Sequence, residues 1–279
     1  MIKAKLEVKV KNGKYSIIIG ANFLNKLSNI FKKNGVNFNK CFLLIDKKIG
    51  IKKIEQISKS IKQKKIIHLF NSSEKNKNIS QVIKILNLLQ KNNFNKSDCL
   101  LAVGGGITGD TGGFAASLFK RGLKFINIPT TLLAQVDSSI GGKTGINTIY
   151  GKNLVGSFYQ PSLVLADTFF LKTLPKREII CGYAEILKHS LISDKKFFFY
   201  LNKNVQNIFR LKSPFIEKAI FKSCKIKRDI VQKDEKEINL RKILNFGHTF
   251  AHAYEASMTY SKRLNHGEAV ILGIYSSLK

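Results

Sequence analysis

The sequence predicts an α/β fold in two parts: a parallel sheet covered by helices over residues 1–167, then an all-helical domain over 168–279. Three observations predict it. Short apolar runs alternate with amphipathic helical stretches through the first part. Strand signals stop after Asp167. Helical periodicity then continues to the end of the chain.

Residues 2–19 read as a hairpin. Ile2, Ala4, Leu6, Val8 and Val10 alternate with polar residues, Asn12-Gly13 supplies the turn, and Tyr15, Ile17 and Ile19 resume the alternation. Cys41–Ile45 is a short apolar strand, and Ile51, Ile54, Ile57 and Ile61 mark the helix after it. Lys65–Phe70 is the next strand and Ser72–Asn78 a polar loop. A second amphipathic helix covers 79–91 through Ile79, Val82, Leu86 and Leu89. Cys99–Val103 is a strand that runs straight into glycines, and further strands are expected at Phe125–Ile128 and Leu163–Leu165. In the second part, Ile216, Ile220, Ile226 and Ile230 form the stripe of a long helix over 214–233.

At 279 residues with 44% hydrophobic content, the chain can bury a sizeable core. No run is long and apolar enough to span a bilayer, and the N-terminal strand pattern is unlike a signal peptide. Cys41, Cys99, Cys181 and Cys224 are scattered without a C-x-x-C, as expected of reduced thiols in a cytoplasmic protein. The net charge of +30 suggests nucleic acid, but only six of the 48 basic residues are arginine. Lysine, isoleucine, asparagine and phenylalanine are abundant throughout, as an A+T-rich coding bias produces. Specific base or phosphate readout favours arginine forks, so weak nonspecific polyanion binding is the reading, with no specific nucleic acid and no membrane partner.

Leu101-Ala-Val-Gly104-Gly105-Gly106-Ile-Thr108-Gly109-Asp110 reads as strand, glycine loop and helix start. Glycines let a backbone approach a ligand, and the helix N-terminus offers free N–H groups to a pyrophosphate. This is a Rossmann-like arrangement, although the spacing is not G-x-G-x-x-G; a tight structural turn is the plain alternative. Pro129-Thr130-Thr131 through Asp137 to Gly141-Gly142-Lys143, with Lys152-Asn153 soon after, reads as a loop for a phosphorylated, polyhydroxylated ligand. The plain alternative there is a solvated loop. Glu185 and Lys188 lie three apart on one face of an apolar helix. They are either a simple ion pair or a metal ligand with its substrate-side neighbour.

Three of the five histidines fall between Asn245 and Glu268: His248, His252 and His266. Imidazole is the commonest protein ligand of transition metals. His248 and His252 share a helical face, and His266 precedes Gly267 at a loop-to-helix junction. Either a carboxylate joins two of these histidines in an open catalytic site, or His248 and His252 chelate together and His266 stays outside, or the imidazoles merely fill hydrogen bonds in a helical core.

Four blocks together, GGGITGD, PTTLLAQVDSSIGGKTG…GKN, LPKRE…CGYAEILK and LNFGHTFAHAYEA…NHGEAV, resemble the 3-dehydroquinate synthases of the sugar phosphate cyclase superfamily. The resemblance runs from Asp46 to Glu268. It implies a divalent metal, zinc or cobalt, on Glu185, His248 and His266, with His252 left as a neighbouring or proton-handling residue. It implies substrate contacts at Asp137, Lys143, Lys152, Asn153, Lys188, Lys227, Arg241 and Asn245. It places His252, Lys143, Lys188 and Arg121 in catalysis, Arg121 near a homodimer interface. It places NAD on Asp46, Glu74, Lys77, Gly104, Gly105, Gly106, Thr108, Gly109, Asp110, Thr130, Thr131, Lys143, Lys152, Phe170, Thr173 and Glu178.

The implied reaction takes 3-deoxy-D-arabino-heptulosonate 7-phosphate to 3-dehydroquinate and phosphate. It proceeds by transient oxidation at NAD, phosphate elimination, reduction and internal aldol closure in the shikimate pathway. Two alternatives remain: another sugar phosphate cyclase, which a substrate panel separates, and a non-catalytic basic remnant, which salt-dependent nucleic-acid binding without metal uptake would mark. The sequence departs from the family at Ala251, where glycine is usual, and at Cys181 and Tyr183. It also stops at Lys279, where relatives continue, so the resemblance is to a C-terminally shortened member. Apolar surface around Val270–Tyr275 is accordingly expected to lose its cover.

Overall fold

The computed structural model describes residues 2–11, 13–258 and 263–278. Asn12 of the expected hairpin turn and the side chain of Ile2 lie outside it. The chain divides into two compact units, Met1–Thr130 with Gly141–Phe169, and Thr131–Ile140 with Phe170–Lys279.

The first unit opens with the hairpin β1 (Ile2–Val10) and β2 (Gly13–Gly20). A short helix α1 (Leu27–Lys33) follows, barely two turns long and so too short for its apolar period to stand out in the sequence. The alternation then proceeds through β3 (Lys40–Asp46), α2 (Ile51–Ser60), β4 (Lys64–Phe70), α3 (Ile79–Lys91), β5 (Cys99–Gly104), α4 (Gly106–Leu118), β6 (Lys124–Pro129) and β9 (Leu163–Asp167). Between β6 and β9 lies a separate hairpin, β7 (Lys143–Thr148) and β8 (Gly151–Phe158). The main sheet has the order β1-β2-β9-β6-β5-β3-β4. It is parallel from β2 onward, with β1 antiparallel at one edge. Phe42 to Ile45 and Leu100 to Val103 are fully buried, as continuous apolar strands covered on both faces must be. The expectation of an α/β fold with a parallel sheet is met.

The stretch around Lys143 and Lys152, expected as a ligand loop, is this β7–β8 hairpin. Gly145 faces Gly156, and a Cβ on Gly156 would lie 2.1 Å from the Thr144 carbonyl oxygen. The glycines that allow the two backbones to meet also erase the apolar alternation that marks strands.

The second unit contains the segment 131–140, with a single π-helical turn over Ala134–Ser138. Its helices are α5 (Lys176–Ser193), α6 (Lys195–Phe209), α7 (Phe215–Lys233), α8 (His248–Ser257) and α9 (His266–Ser277). The isoleucine stripe 216, 220, 226 and 230 is buried on α7, as its spacing predicts. Ala184, Ala251, Ala269, Val270 and Ile274 pack together where α5, α8 and α9 meet. Ala251 is therefore a core methyl, fully buried and accommodated. Around Val270–Tyr275 the apolar face is divided: Val270 and Ile274 are buried, while Leu272 is 45% and Tyr275 60% exposed. Among the described residues no helix is long and apolar enough to cross a membrane.

Candidate functional site

Two places in the chain gather the chemistry, one in each unit. In the first, Asp46, Phe70, Gly104 and Pro129 end four neighbouring parallel strands at the same edge of the sheet. From β3 the chain passes to β4 on one side and returns to β5 on the other, so the crevice beyond β3 and β5 is a topological switch point, where open α/β sheets bind ligands. Gly105 caps α4 without a side-chain hydrogen bond, leaving backbone N–H groups at the helix start. A Cβ on Gly104 would lie 2.4 Å from Thr108 Oγ1, so the turn has no room for a side chain there. The Oγ1 atoms of Thr108 and Thr111 are buried without a hydrogen-bond partner.

Beside this corner, Lys77 Nζ ion-pairs with Asp110 at 2.6 Å and donates to Asn153 Oδ1 at 2.5 Å. Glu74 Oε2 accepts from Asn147 Nδ2 at 2.8 Å. Asp46 Oδ1 accepts from the Lys48 amide at 3.0 Å. Thr130 donates its N–H to the Gly104 carbonyl at 2.9 Å. An acid at the end of β3, next to a glycine corner at the end of β5, is the donor and acceptor set a dinucleotide needs. Asn153 accepts from Lys77 in this arrangement. Lys143, Lys152 and Arg121 are exposed, the first two on the β7–β8 hairpin and Arg121 in a turn at φ 60°.

In the second unit, the ligand atoms of Glu185, His248 and His266 all lie within 4.8 Å of one another. Local packing explains why residues so far apart in sequence meet. A Cβ on Gly267 would lie 2.2 Å from the Cα of Cys181, so the absence of a side chain presses the start of α9 onto α5. The contact point, Cys181, lies one helical turn before Glu185 on α5, and His266 adjoins Gly267 in sequence. Gly247 (φ 79°) caps α8 in the left-handed region, and a Cβ on Gly273 would meet its carbonyl at 2.1 Å. Asn265 and Glu268 form a reciprocal capping box at the start of α9. Arg177 on α5 then grips Glu268 with Nε–Oε1 at 2.7 Å and a second bond at 2.6 Å.

The electrostatics suit a cation. Glu185 is 1% exposed, and its Oε1 has no hydrogen-bond donor, while Lys188 ion-pairs with Oε2. Burial pushes the Glu185 pKa up, with Lys188 opposing. His248 Nε2 stands 4.0 Å from Glu185 Oε1. Its Nδ1 faces the Phe246 carbonyl at 3.4 Å, which leaves Nε2 as the lone pair turned to the carboxylate. Burial, reinforced by Lys188, brings the His248 pKa down to about 4, so the imidazole is a neutral ligand near pH 7. His266 Nδ1 lies 3.4 Å from Glu255 Oε1. Burial opposes protonation of His266, but Glu255 and Glu185 outweigh it and raise its pKa. A carboxylate with an unsatisfied oxygen and two imidazoles, each backed by an acceptor, fits a divalent transition ion. His252 is exposed, its ring 5.5 Å from His248 and 6.4 Å from His266, and is outside this set.

Around the trio, Lys227 Nζ ion-pairs with the Asp137 carboxylate and donates to its carbonyl at 2.9 Å. Burial works against ionisation of Asp137, yet Lys227 and Lys188 together hold its pKa well below the usual carboxylate range. Arg241 is 2% exposed, bonds the Glu235 carbonyl and lies 3.8 Å from Glu237. Asn245 donates to Glu237 at 3.0 Å. Asp137, Glu185 and His189 form a second group of metal-ligand type. The ammonium groups of Lys227 and Lys188 already occupy its carboxylates.

Thr131 Oγ1 accepts from the Ala134 amide at 3.1 Å, Thr173 donates to the buried Phe170 carbonyl at 3.2 Å, and Glu178 is exposed in the first turn of α5. Sequence reading did not single out Glu255, His189 or the Arg177–Glu268 clamp. Glu255 was legible in principle, since it lies seven residues after His248 and so on the same helical face.

Residues 67–181 match the family model described as "3-dehydroquinate synthase N-terminal", and residues 182–279 match "3-dehydroquinate synthase C-terminal". A 3-dehydroquinate synthase of Pelagibacter ubique (strain HTCC1062) is 61% identical over 276 residues, which is 99% of this chain and 75% of that protein. Among solved structures, a 2-deoxy-scyllo-inosose synthase complexed with carbaglucose-6-phosphate, NAD+ and Co2+ aligns with TM-score 0.85 and 27% identity, over 97% of this chain and 73% of its own. The 2-epi-5-epi-valiolone synthase of Streptomyces hygroscopicus subsp. jinggangensis 5008, with NAD+ and Zn2+ bound, aligns equally well, over 95% of this chain and 74% of its own. The chain thus spans about three quarters of the length of these relatives.

Proposed function

The chain belongs to the 3-dehydroquinate synthase family, and on that premise we propose that it converts 3-deoxy-D-arabino-heptulosonate 7-phosphate into 3-dehydroquinate and phosphate. In this reading residues 1–167 are the NAD-binding domain and 168–279 the metal- and substrate-binding domain. The observation that carries it is the convergence of Glu185, His248 and His266. When bound, the divalent ion supplies Lewis acidity toward the substrate's hydroxyls and NAD supplies a reversible hydride acceptor.

The chain's own residues supply binding and orientation. Glu185 offers its unsatisfied oxygen to the ion, and Lys188 beside it adds positive charge for an anionic substrate. Lys227 can exchange its bond to Asp137 for a substrate anion, freeing the Asp137 carboxylate for a hydroxyl. Arg241, a buried and immobilised guanidinium, suits the planar carboxylate that distinguishes the heptulosonate from sugar phosphates without one. At the glycine corner, the Gly105 and Gly106 backbone and Asp46 suit the pyrophosphate and a ribose, with Lys77 and Asp110 alongside. Arg121 and His252, both exposed, are assigned to substrate contact and proton handling, and the chain to a cytoplasmic homodimer whose mass sedimentation would measure.

The test is phosphate release from the heptulosonate phosphate with NAD and zinc or cobalt. Release that His266→Ala abolishes supports the reading; none from a folded, metal-loaded sample overturns it. The solved relatives named for other products favour one second reading, a cyclase acting on sedoheptulose 7-phosphate or glucose 6-phosphate. Arg241 weighs against it, and turnover of those sugars in preference to the heptulosonate would establish it.

A further inference from the structure

His189 lies outside the metal trio, yet no side chain in the second unit is more fully enclosed: its exposure is 0%. It sits on α5 immediately after Lys188. Its Nδ1 lies 2.7 Å from Ser223 Oγ on α7, and its Nε2 has no hydrogen-bond partner. Asp137 Oδ1 stands 3.9 Å from it, too far for a hydrogen bond but within reach of a modest side-chain shift. A buried polar atom left without a partner is costly, so each one calls for a physical account.

Asp137 has the complementary problem. Its carboxylate is held by Lys227, and on the reading above Lys227 turns to an anionic substrate. Asp137 would then lose its principal partner just when it must present a fixed oxygen to a substrate hydroxyl. Burial, with Lys188 adding to it, keeps His189 neutral. A neutral imidazole carries one donor and one acceptor. Ser223 can donate its hydroxyl proton to Nδ1, which leaves the ring proton on Nε2, the atom turned toward Asp137. The π-helical turn that carries Asp137 is a backbone form often found at functional sites. It is also the element whose side chain has to move.

We propose that His189 is a positioning residue for Asp137: when substrate draws Lys227 away, the His189 Nε2–H closes onto the carboxylate and holds it in the orientation the substrate meets. The chain Ser223–His189–Asp137 thus replaces Lys227 as the support of that carboxylate. This rests on the reading that Asp137 and Lys227 bind substrate.

Two measurements test it. The first is a double-mutant cycle on phosphate release with His189→Leu, Asp137→Asn and the double variant. His189→Leu is expected to lower kcat/KM at least tenfold in the wild-type background and less than twofold beside Asp137→Asn. His189→Gln, which keeps an N–H donor, is expected to recover most of the loss. Equal losses in both backgrounds, as a purely structural histidine would give, overturn the proposal. The second needs no turnover and no destabilising variant at position 189: imidazole nitrogen NMR of the 15N-histidine-labelled, metal-loaded chain. The expected spectrum shows His189 as the neutral Nε2–H tautomer, shifted by Asp137→Asn and by adding inorganic phosphate. A His189 signal that ignores both, or that carries its proton on Nδ1, overturns the proposal. Should the wild type release no phosphate at all, the functional reading fails, and the NMR result still decides the role of His189.

Discussion

Glu185 combines near-complete burial with an oxygen that no donor reaches. Its neighbours are a neutral imidazole and one held toward protonation by Glu255, so in the proposed metal site ligand quality is set by second partners as much as by the ligands. Glu255→Gln keeps the size but weakens the acceptor behind His266. It is expected to lower zinc affinity about 10–100-fold, read by competition with a chromophoric chelator. Unchanged affinity would remove Glu255 from the site. The depressed pKa of His248 gives a second expectation, for the metal-free chain. A histidine whose folded pKa lies below its unfolded value binds its proton preferentially in the unfolded state, so its contribution is present above about pH 6.5 and lost as pH falls toward 4. Comparing wild type with His248→Gln isolates this group from Glu185 and Asp167, whose pKa values burial pushes up. Their difference in urea-unfolding free energy is expected to shrink by about 1.4 kcal/mol per pH unit across that window. A flat difference would contradict the assigned burial of His248.

Between α5, α8 and α9 the fold depends on backbones that touch. Gly267→Ala would drive a methyl into the Cys181 backbone, which cannot yield as a side chain could. It is expected to cost roughly 1–3 kcal/mol in urea unfolding and to weaken metal binding in step. Asn265→Ala removes only the cap, about 1 kcal/mol, and should leave affinity nearly intact. If Gly267→Ala bound metal like wild type, the helix contact would not be what brings His266 to Glu185. The same contrast explains what could be read in advance. Helix α3 was legible to the residue because its apolar period is strong and Asn78 caps it. The α9 start was legible from Asn265-His-Gly-Glu268, a capping-box pattern. The β7–β8 hairpin was not, because facing glycines carry no alternation, so the run around Lys143 reads as a loop. His189 was missed for a different reason: one histidine in an apolar helix looks like core until Asp137 and Ser223 are seen around it.

At the scale of the whole chain, a charge of +30 and a half-buried candidate metal trio make opposite claims on salt. Binding to DNA or RNA through lysines is expected to fall by orders of magnitude between 50 and 200 mM salt, at about the rate counterion release sets. Metal uptake by direct coordination at that trio is expected to persist across that range. Salt-insensitive nucleic-acid binding would point instead to a built surface. The central claim is that residues from α5, α8 and α9 share one ion without His252. X-ray absorption of the cobalt-loaded chain measures it most directly. The account predicts one cobalt with two imidazole nitrogens and oxygen ligands otherwise, falling to one imidazole or to no bound ion in His266→Ala. Three imidazoles, or a coordination shell that His266→Ala leaves unchanged, would contradict it.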